Sequence, residues 1–497
     1  MRRLLATLMA ACGALALTTA SFAASITFDG NWRVGYRLFD ALDLNQNEDF
    51  DTDGDGFLEQ DNRSFVLHRL RLNPVINITD DLGVYFQTDI LTGRYRAADS
   101  GGAAPHNLNF TGGAYWGSPA VAQGGDANFA REGQTGARGL FAGDFSQFSN
   151  ERNGEENFLV RRVWGEWATD YGTLRAGRMP RHFGLGMWWN DGNRVWDYFQ
   201  DTVDTVNFEA SFGNLTFVPF YDIINEDDRD DHSRRTTNSG VWAIYNWLDH
   251  DLEAGLMYYF FHKANNNIAA HIFDGYVDKT FPNLFWNGTL RTAVEAVWIF
   301  GPQGFAATGP APTPLSEVDA NKFGLAAEAD YARGKLDVWG RAGYASGQPP
   351  HAGDADEDRE FVFDRNYNIA LIMFEQGVGR LPLGFGELNA GSNEYQNTIH
   401  NTVYAALGAS YDLWKDLWVS LNGVWGYAAE RASTDNAQNL NRGFELDGSA
   451  GYQWTKNIAT SLDAGILFPG EFYKGNAVQN FQTNEVLALA FNAAVTF

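Results

Sequence analysis

Acidic residues at regular spacing mark one stretch near the start of the chain, DFDTDGDGFLEQDNRSFVLHRLRL, residues 49–72. Asp51, Asp53 and Asp55 alternate along it and are followed by Gly56, a spacing that wraps oxygen ligands around a calcium ion. The predicted ligands are Asp51, Asp53, Asp55, the Phe57 carbonyl, Glu59 and Asn62. Because an EF-hand has glutamate at the last of these positions and a helix on each side, the prediction is a calcium loop outside an EF-hand. An exposed acidic loop without its own calcium is the alternative.

Arginines follow at once, at Arg69 and Arg71, and return in FLVRRVWGEWATDYGTLRAGR, residues 158–178. A guanidinium stays charged and presents planar donors, so arginines on one face would form a fixed positive surface. The residues predicted to share that face are Arg69, Arg71, Gln87, Asp89, Arg162, Glu166, Arg175 and Arg178. Arg161 has the opposite parity, which predicts a position facing outward near one rim. The alternation of apolar and polar residues predicts that the elements carrying these residues are strands.

Composition limits the protein class. The formal charge is −26, which argues against a nucleic-acid partner. The chain has 16 Trp, 20 Tyr, 37 Phe and 53 Gly. After the N-terminal segment no run of 18 apolar residues occurs, which excludes transmembrane helices. A secreted β protein and a membrane β-barrel both fit these numbers.

The N-terminal segment, residues 1–23, has the form of a secretory signal peptide. Arg2 and Arg3 precede an apolar run, and small residues surround a predicted cleavage site after Ala23. Cys12, the only cysteine, follows LMAA, so processing as a lipoprotein is an alternative. The remainder, residues 24–497, is predicted to form one domain without disulfides.

The first strand shows the pattern that recurs along the chain. In SITFDGNWRVGYRLF, residues 25–39, apolar and polar residues alternate over a length that spans a bilayer as a tilted strand. Eighteen such strands are predicted, ending with residues 485–497. The weakest is 269–280, so sixteen strands is the alternative count.

The connections between these strands alternate in length. Every even-numbered connection is short, as at residues 213 and 333–334, and most odd-numbered ones are long, as at 96–156 and 346–399. Short turns on one side and long loops on the other are typical of outer-membrane barrels. The fold class is therefore predicted as an all-β, transmembrane, antiparallel β-barrel in a Gram-negative outer membrane, in contact with lipid and lipopolysaccharide.

Two patches carry a family resemblance. RRVWGEWATDYGTLRAGRMPRHFGLG and HRLRLNPVINITDDLGVYFQTD resemble large Gram-negative porins, of the alginate-export and phosphate-selective type. The final strand, EVLALAFNAAVTF, ends in Phe497 and resembles the signal read by the outer-membrane assembly machinery. The resemblance implies a passive channel with an arginine-bearing interior.

The opposite wall of the predicted lumen is acidic. Its inward candidates are Glu209, Glu253, Glu295, Glu328, Asp330, Asp337, Glu445, Asp447 and Asp463. Opposed charges favour passage of small hydrophilic or charged solutes, although pairing that only stiffens the barrel is compatible with them. Loops 96–156 and 346–399 are the ones predicted to fold inward or cap the mouth. The second contains FVFDRNYNIALIMFEQ, which is apolar for a surface segment, so it is predicted either to plug the lumen or to pack against the outer rim.

Other functions have weaker support. A plugged structural or adhesive barrel is the main alternative to a channel. The sequence contains no phosphate loop, dinucleotide fingerprint, HExxH motif or nucleophile elbow, so an enzyme, such as a barrel hydrolase, is not expected. In the calcium-free alternative, the acidic loop would meet divalent ions that bridge lipopolysaccharide.

Overall fold

The computed structural model describes residues 24–40, 62–90, 158–197, 200–226, 235–263, 268–307, 315–348, 357–375, 398–430, 440–473 and 484–497. Within them, eighteen long strands form one antiparallel sheet that closes on itself. They are β1 (Ser25–Asp40), β2 (Asn62–Asn77), β3 (Leu82–Ile90), β4 (Phe158–Thr169), β5 (Gly172–Pro180), β6 (Thr202–Phe212), β7 (Leu215–Glu226), β8 (Arg235–Trp247), β9 (Leu252–Lys263), β10 (Ile268–Leu284), β11 (Gly288–Ala307), β12 (Leu315–Arg333), β13 (Leu336–Ala345), β14 (Thr402–Trp414), β15 (Leu417–Ala428), β16 (Asn441–Thr455), β17 (Ile458–Pro469) and β18 (Val486–Thr496).

Three short elements complete the described secondary structure. Two single-turn 3₁₀ helices span Leu248–His250 and Glu471–Tyr473. The two-residue segment Glu357–Asp358 pairs parallel with β12 and lies within a loop, outside the barrel wall. None of the helices in the described ranges is long and apolar enough to cross a membrane.

The predicted count of eighteen strands is confirmed, and each predicted strand overlaps an observed one. The weakest prediction, 269–280, corresponds to β10, which pairs with β9 and β11 along most of its length. β11 and β12 extend further toward the long-loop side than predicted. Pro302 and the neighbouring glycines of β11 interrupt the alternation of residue types, but the two strands remain paired beyond a register shift between Pro302 and Gly304.

The barrel closes where the C-terminal strand meets the first. β1 and β18 pair from Asn31 to Asp40, and Phe497 exchanges two backbone hydrogen bonds of 3.0 Å with Gly30. A Cβ atom on Gly30 would lie 2.3 Å from the Arg71 carbonyl oxygen and 2.9 Å from the Phe497 ring. Glycine is therefore required at this closure because the terminal ring packs on its backbone.

The alternating pattern separates two faces. Apolar side chains such as Trp32, Leu256 and Leu407 are exposed on the outside, as a lipid-facing wall requires. Aromatic residues, including Trp247, Trp414 and Trp454, are exposed near the short turns, where an interfacial girdle belongs. Closure leaves no unpaired sheet edge, so an acidic chain can present an apolar exterior.

Candidate functional site: the filled lumen

Five arginines form what we call the arginine wall on the inner face of neighbouring strands. They are Arg33 on β1, Arg69 and Arg71 on β2, and Arg161 and Arg162 on β4, and none is more than 8% exposed. Register places Arg33 directly opposite Arg69. Like charges this close destabilise one another unless acceptors neutralise them, so the wall requires partners.

Asp89 on β3 is the carboxylate inside this wall. Arg71 reaches it through two hydrogen bonds, Nε–Oδ1 at 2.7 Å and Nη2–Oδ2 at 3.0 Å, and Arg161 Nε lies 3.0 Å from Oδ2. The expectation that Arg161 faces outward is wrong. The β3–β4 register shifts between Gln87 and Thr88, and the extra residue of this bulge turns Arg161 inward beside Arg162.

The arginine wall binds the backbone of residues 181–197 and 200–201, which we call the first inward loop. Arg33 Nη1 donates to the Val195 carbonyl at 2.6 Å, and Arg69 Nη1 donates to the Asp197 carbonyl at 3.0 Å. Arg71 Nη1 donates to the Gly192 carbonyl at 2.8 Å. The loop therefore lies inside the barrel and covers these arginines.

Arg162 and Gln87 make further contacts with this loop at Asp191 and Asn193. Arg162 Nη1 donates to Asn193 Oδ1 at 2.7 Å, and Arg162 Nη2 donates to the Asp191 carbonyl. Gln87 Nε2 donates to Asn73 Oδ1 at 3.0 Å and lies 3.5 Å from Asn193 Oδ1. The structure thus gathers the predicted residues Arg69, Arg71, Gln87, Asp89 and Arg162 around one loop. Whether they line a conducting path stays a prediction.

Sequence reasoning did not identify the first inward loop. The available signal was its composition, HFGLGMWWNDG, which is as apolar and aromatic as the segment predicted to fold inward from loop 346–399. Phe183, Met187 and Trp188 are all buried, and Trp188 Nε1 donates to the Tyr259 hydroxyl of β9 at 2.8 Å. A surface loop has no reason to carry such side chains.

Residues 357–375, which we call the second inward loop, also lie inside the barrel. Phe361, Phe363 and Ile372 are fully buried, which agrees with the prediction that this segment folds inward. Its Asp364 N–H donates to the Met187 carbonyl at 2.7 Å, and the Phe361 ring lies 5.5 Å from that of Trp188. The two inward loops therefore form one plug. Loop 96–156 lies outside the described residues.

Carboxylates on other strands also hold the plug. We call Asp274 on β10, Glu295 on β11, and Glu445 and Asp447 on β16 the carboxylate wall. Glu445 accepts three consecutive backbone N–H groups of the second inward loop, from Leu371 at 2.9 Å, Ile372 at 2.7 Å and Met373 at 2.6 Å. Glu295 accepts the N–H of Leu185 in the first inward loop.

The base of the second inward loop carries a buried ionic group. Glu360 Oε1 lies 2.8 Å from His400 Nδ1, and Lys322 Nζ lies 2.8 Å from Asp358 Oδ2. Burial, reinforced by the neighbouring Asp358, raises the pKa of Glu360 to about 8. Glu360 thus takes up a proton more readily than an exposed glutamate does.

Near the short turns the lumen carries partly exposed charged residues, in what we call the turn-side chamber. Arg175 bonds to Glu166 at 3.1 Å and to Glu209 at 2.7 Å, and Arg178 bonds to Asp204 at 2.7 Å. Across the chamber, Arg291 and Arg341 form ion pairs with Asp278, Glu328 and Asp330. The predicted residues Glu166 and Arg175 thus lie apart from the arginine wall, in a partly solvated network. Arg178 does not belong to it: Arg178 lies opposite Val163, next to Arg162, and its partner Asp204 is buried.

The predicted calcium ligands Asp51, Asp53, Asp55, Phe57 and Glu59 lie outside the described residues, and Asn62 is the first residue of β2. Within the described part of the chain, no three or more His, Cys, Asp or Glu side chains are grouped to hold a metal ion. The calcium site therefore stays a prediction.

Comparison with solved structures shows the same fold. Pseudomonas aeruginosa OccK5 (OpdH) has a TM-score of 0.50 at 11% identity, with 96% of this chain and 99% of that chain covered. Pseudomonas aeruginosa OccK9 (OpdG) has a TM-score of 0.50 at 14% identity, with 95% and 99% covered. No protein-family model matches the chain, and no curated protein matches it. At this identity the likeness establishes the closed barrel and says nothing about a solute.

Proposed function

We propose that this protein is a channel of the Gram-negative outer membrane that passes small hydrophilic or charged solutes. The observation that carries the proposal is the closed eighteen-strand barrel with a half-exposed, charged turn-side chamber. An apolar exterior and a polar interior are what an aqueous pore in lipid requires. The resemblance of its arginine-bearing strands to large porins supports the same function.

Two features of the lumen agree with passive passage. The two walls carry opposite charges, so a hydrophilic solute meets donors and acceptors together. The chamber network is built from exchangeable surface-type ion pairs, such as Arg291 with Asp278, which contribute little stability when solvated. Such pairs can exchange a partner for a passing charged group.

Conductance in planar bilayers tests the proposal. The full-length barrel, purified in detergent and inserted in an uncharged bilayer, is expected to give discrete, ohmic current steps. A correctly folded barrel that stays electrically silent over the accessible pH range would overturn channel function. The refolded state is checked independently by heat-modifiable migration on a gel.

A plugged structural or adhesive barrel is the second candidate, and one observation favours it. The two inward loops pack on each other and on both walls, with Met187, Phe361 and Phe363 fully buried. Silent bilayers together with slow amide exchange throughout both loops would support this candidate. Steady current would exclude it.

A calcium site on the first outer loop is part of the proposal and rests on the spacing of Asp51, Asp53 and Asp55. Calcium is expected to protect residues 41–61 from protease, and Asp53→Ala with Asp55→Ala is expected to abolish that protection. Equal protection of the variant and the native chain would refute the site. Glu226→Ala, an acidic change beside another loop, serves as the control.

The N-terminal segment and the C-terminal Phe497 are proposed to direct export and assembly. Residues 1–23 would direct secretion, and Phe497 would be read by the assembly machinery before it packs on Gly30. Deleting Phe497 is expected to lower the amount of folded barrel in the outer membrane, whereas Phe497→Tyr retains an aromatic end and should assemble. We expect no enzymatic activity, and lipid or peptide turnover by the purified barrel would contradict this.

A further inference from the structure

Asp274 of the carboxylate wall is a buried carboxyl group without a hydrogen-bond partner. It lies on the inner face of β10 and is 0% exposed, and neither Oδ1 nor Oδ2 has a partner within the described residues. A carboxylate that is removed from water and left unpaired is strongly destabilising. Its two open oxygens therefore indicate a ligand that the described side chains do not supply.

Glu295 of β11 is a second buried carboxyl group on the same part of the inner face. In the β10–β11 register Asp274 lies opposite Val297, and Glu295 is two residues before Val297. The two carboxyl groups are thus diagonal neighbours, about 7–8 Å apart and within reach of their side chains. Glu295 is also 0% exposed, and its Oε1 has no partner in the described ranges. Three open carboxylate oxygens therefore lie in one buried patch.

The first inward loop covers this patch. The N–H of Leu185 donates to Glu295 Oε2, and a Cβ atom on Gly184 would lie 2.5 Å from the same oxygen. The Phe183 ring packs edge-on against Tyr276 of β10, with the ring centroids 5.0 Å apart. The loop thus excludes water from the patch but leaves Glu295 Oε1 open.

The charge of the patch is not balanced by a basic side chain. None of its three open oxygens bonds to an arginine or a lysine in the described part of the chain. Asp278, on the same strand and face as Asp274, differs because it pairs with Arg291 at 2.7 Å. One proton shared between Asp274 and Glu295 would leave one buried negative charge, whereas a divalent cation cancels both.

We propose that Asp274 and Glu295 form a calcium site that links the barrel wall to the first inward loop. Calcium binds carboxylate oxygens at about 2.3–2.6 Å, so one ion can bridge the two groups, and water or backbone oxygens complete its shell. Calcium fits this covered patch better than magnesium, because magnesium gives up its water reluctantly. Since Glu295 also accepts the Leu185 N–H, the bound ion stabilises the docked loop.

Calcium titration of the purified full-length barrel by calorimetry tests the site. Every chain in the experiment carries Asp53→Ala with Asp55→Ala, which removes the calcium site predicted on the first outer loop. Asp274→Asn, added to this background, is expected to bind one calcium ion fewer per barrel, because an amide has no charge and a single oxygen. Equal calcium binding with and without Asp274→Asn overturns the site.

A second variant and a matched control make this comparison specific. Glu295→Gln keeps an oxygen for the Leu185 N–H but removes the charge, so it should also lose one calcium ion, even if Asp274→Asn does not fold. Asp278→Asn removes a carboxylate that already has a basic partner, and it should keep the calcium binding of the background. Loss of calcium binding in Asp278→Asn as well would show a general effect of charge and overturn the site.

Hydrogen–deuterium exchange separates calcium from protons. In the background chain, exchange of amides 183–187 should slow about tenfold when free calcium is about ten times its Kd. Asp274→Asn should not respond. Exchange, corrected for its intrinsic rate, that slows in acid but not in calcium would show that protons neutralise the patch and overturn the site. Equal protection by magnesium would overturn calcium as its ion.

The test does not depend on conductance. A barrel that is silent in bilayers but shows the calcium response overturns channel function and supports the metal site. A conducting barrel without the response overturns the metal site and leaves channel function standing.

Discussion

The arginine wall and the carboxylate wall hold the same plug by opposite chemistry. Arginines on β1, β2 and β4 donate to backbone carbonyls of the first inward loop, as Arg71 does to Gly192. Carboxylates on β11 and β16 accept backbone N–H groups from both loops, as Glu445 does from Ile372. A loop backbone in a low-dielectric lumen must satisfy both kinds of group, and each wall supplies what the other cannot.

The two walls differ in how their charges are balanced. Arg71 has a buried carboxylate partner in Asp89, so part of the arginine wall is internally neutralised. Asp274 has no hydrogen-bond partner on either carboxylate oxygen within the described residues. Asp274 therefore lacks the internal pairing that Asp89 gives to the arginine wall.

Removing the Glu445 carboxylate should have the largest effect. In Glu445→Ala, three buried N–H groups lose their acceptor at a cost of about 1–3 kcal/mol each. The second inward loop should detach from β16, and amide exchange of residues 371–373 should accelerate at least about 100-fold. Asp463→Ala, on the same side of the barrel but bonded within the described ranges only to the Ser461 and Asn492 side chains, should leave that exchange unchanged. Slow exchange in Glu445→Ala would show that the loop is held by packing alone.

Breaking the arginine wall at its ion pair should have the next largest effect. Arg71→Ala leaves Asp89 buried with Arg161 as its remaining ion-pair partner and should lower the free energy of unfolding by about 3 kcal/mol. Denaturant titration in detergent measures this. The double change Arg71→Ala with Asp89→Ala should recover part of the loss, because no unpaired carboxylate remains. A double variant less stable than the sum of the single changes would contradict the pairing.

The alternation of apolar and polar residues predicted the strands of the barrel wall, but it did not predict how the loops fold. Alternation places every strand, because a period of two is a local property, and it places Arg69 and Arg71 on one face. Arg161 was misplaced because a bulge shifts parity and leaves no mark in the composition of the strand. The first inward loop escaped prediction because its contacts join residues more than a hundred positions apart, as between Arg33 and Val195.

A small substitution in the first inward loop tests whether Glu295 of the carboxylate wall holds that loop, and its expected effect is smaller. Gly184 has φ of +56°, and a Cβ there would lie 2.5 Å from Glu295 Oε2. Gly184→Ala should lower the stability of the docked loop by about 1–2 kcal/mol through backbone strain. It should lower that stability further because the new methyl group displaces the Glu295 carboxylate. Gly213→Ala is the matched control, since its φ is +63° with nothing within 4 Å of the Cβ. Equal losses in the two variants, measured by amide exchange of residues 183–190, would show that Glu295 does not hold the loop.

Ion selectivity should give the smallest effect and the sharpest comparison of buried with solvated charge. Arg71→Ala with Arg162→Ala should shift the reversal potential toward cations, but only slightly, because the first inward loop covers both arginines. Arg175→Ala, in the turn-side chamber where its guanidinium is 23% exposed, should shift it further in the same direction. Glu328→Gln should shift it toward anions. If the buried pair changes selectivity more than Arg175, ions pass along the arginine wall, and the first inward loop must leave that wall when the channel conducts.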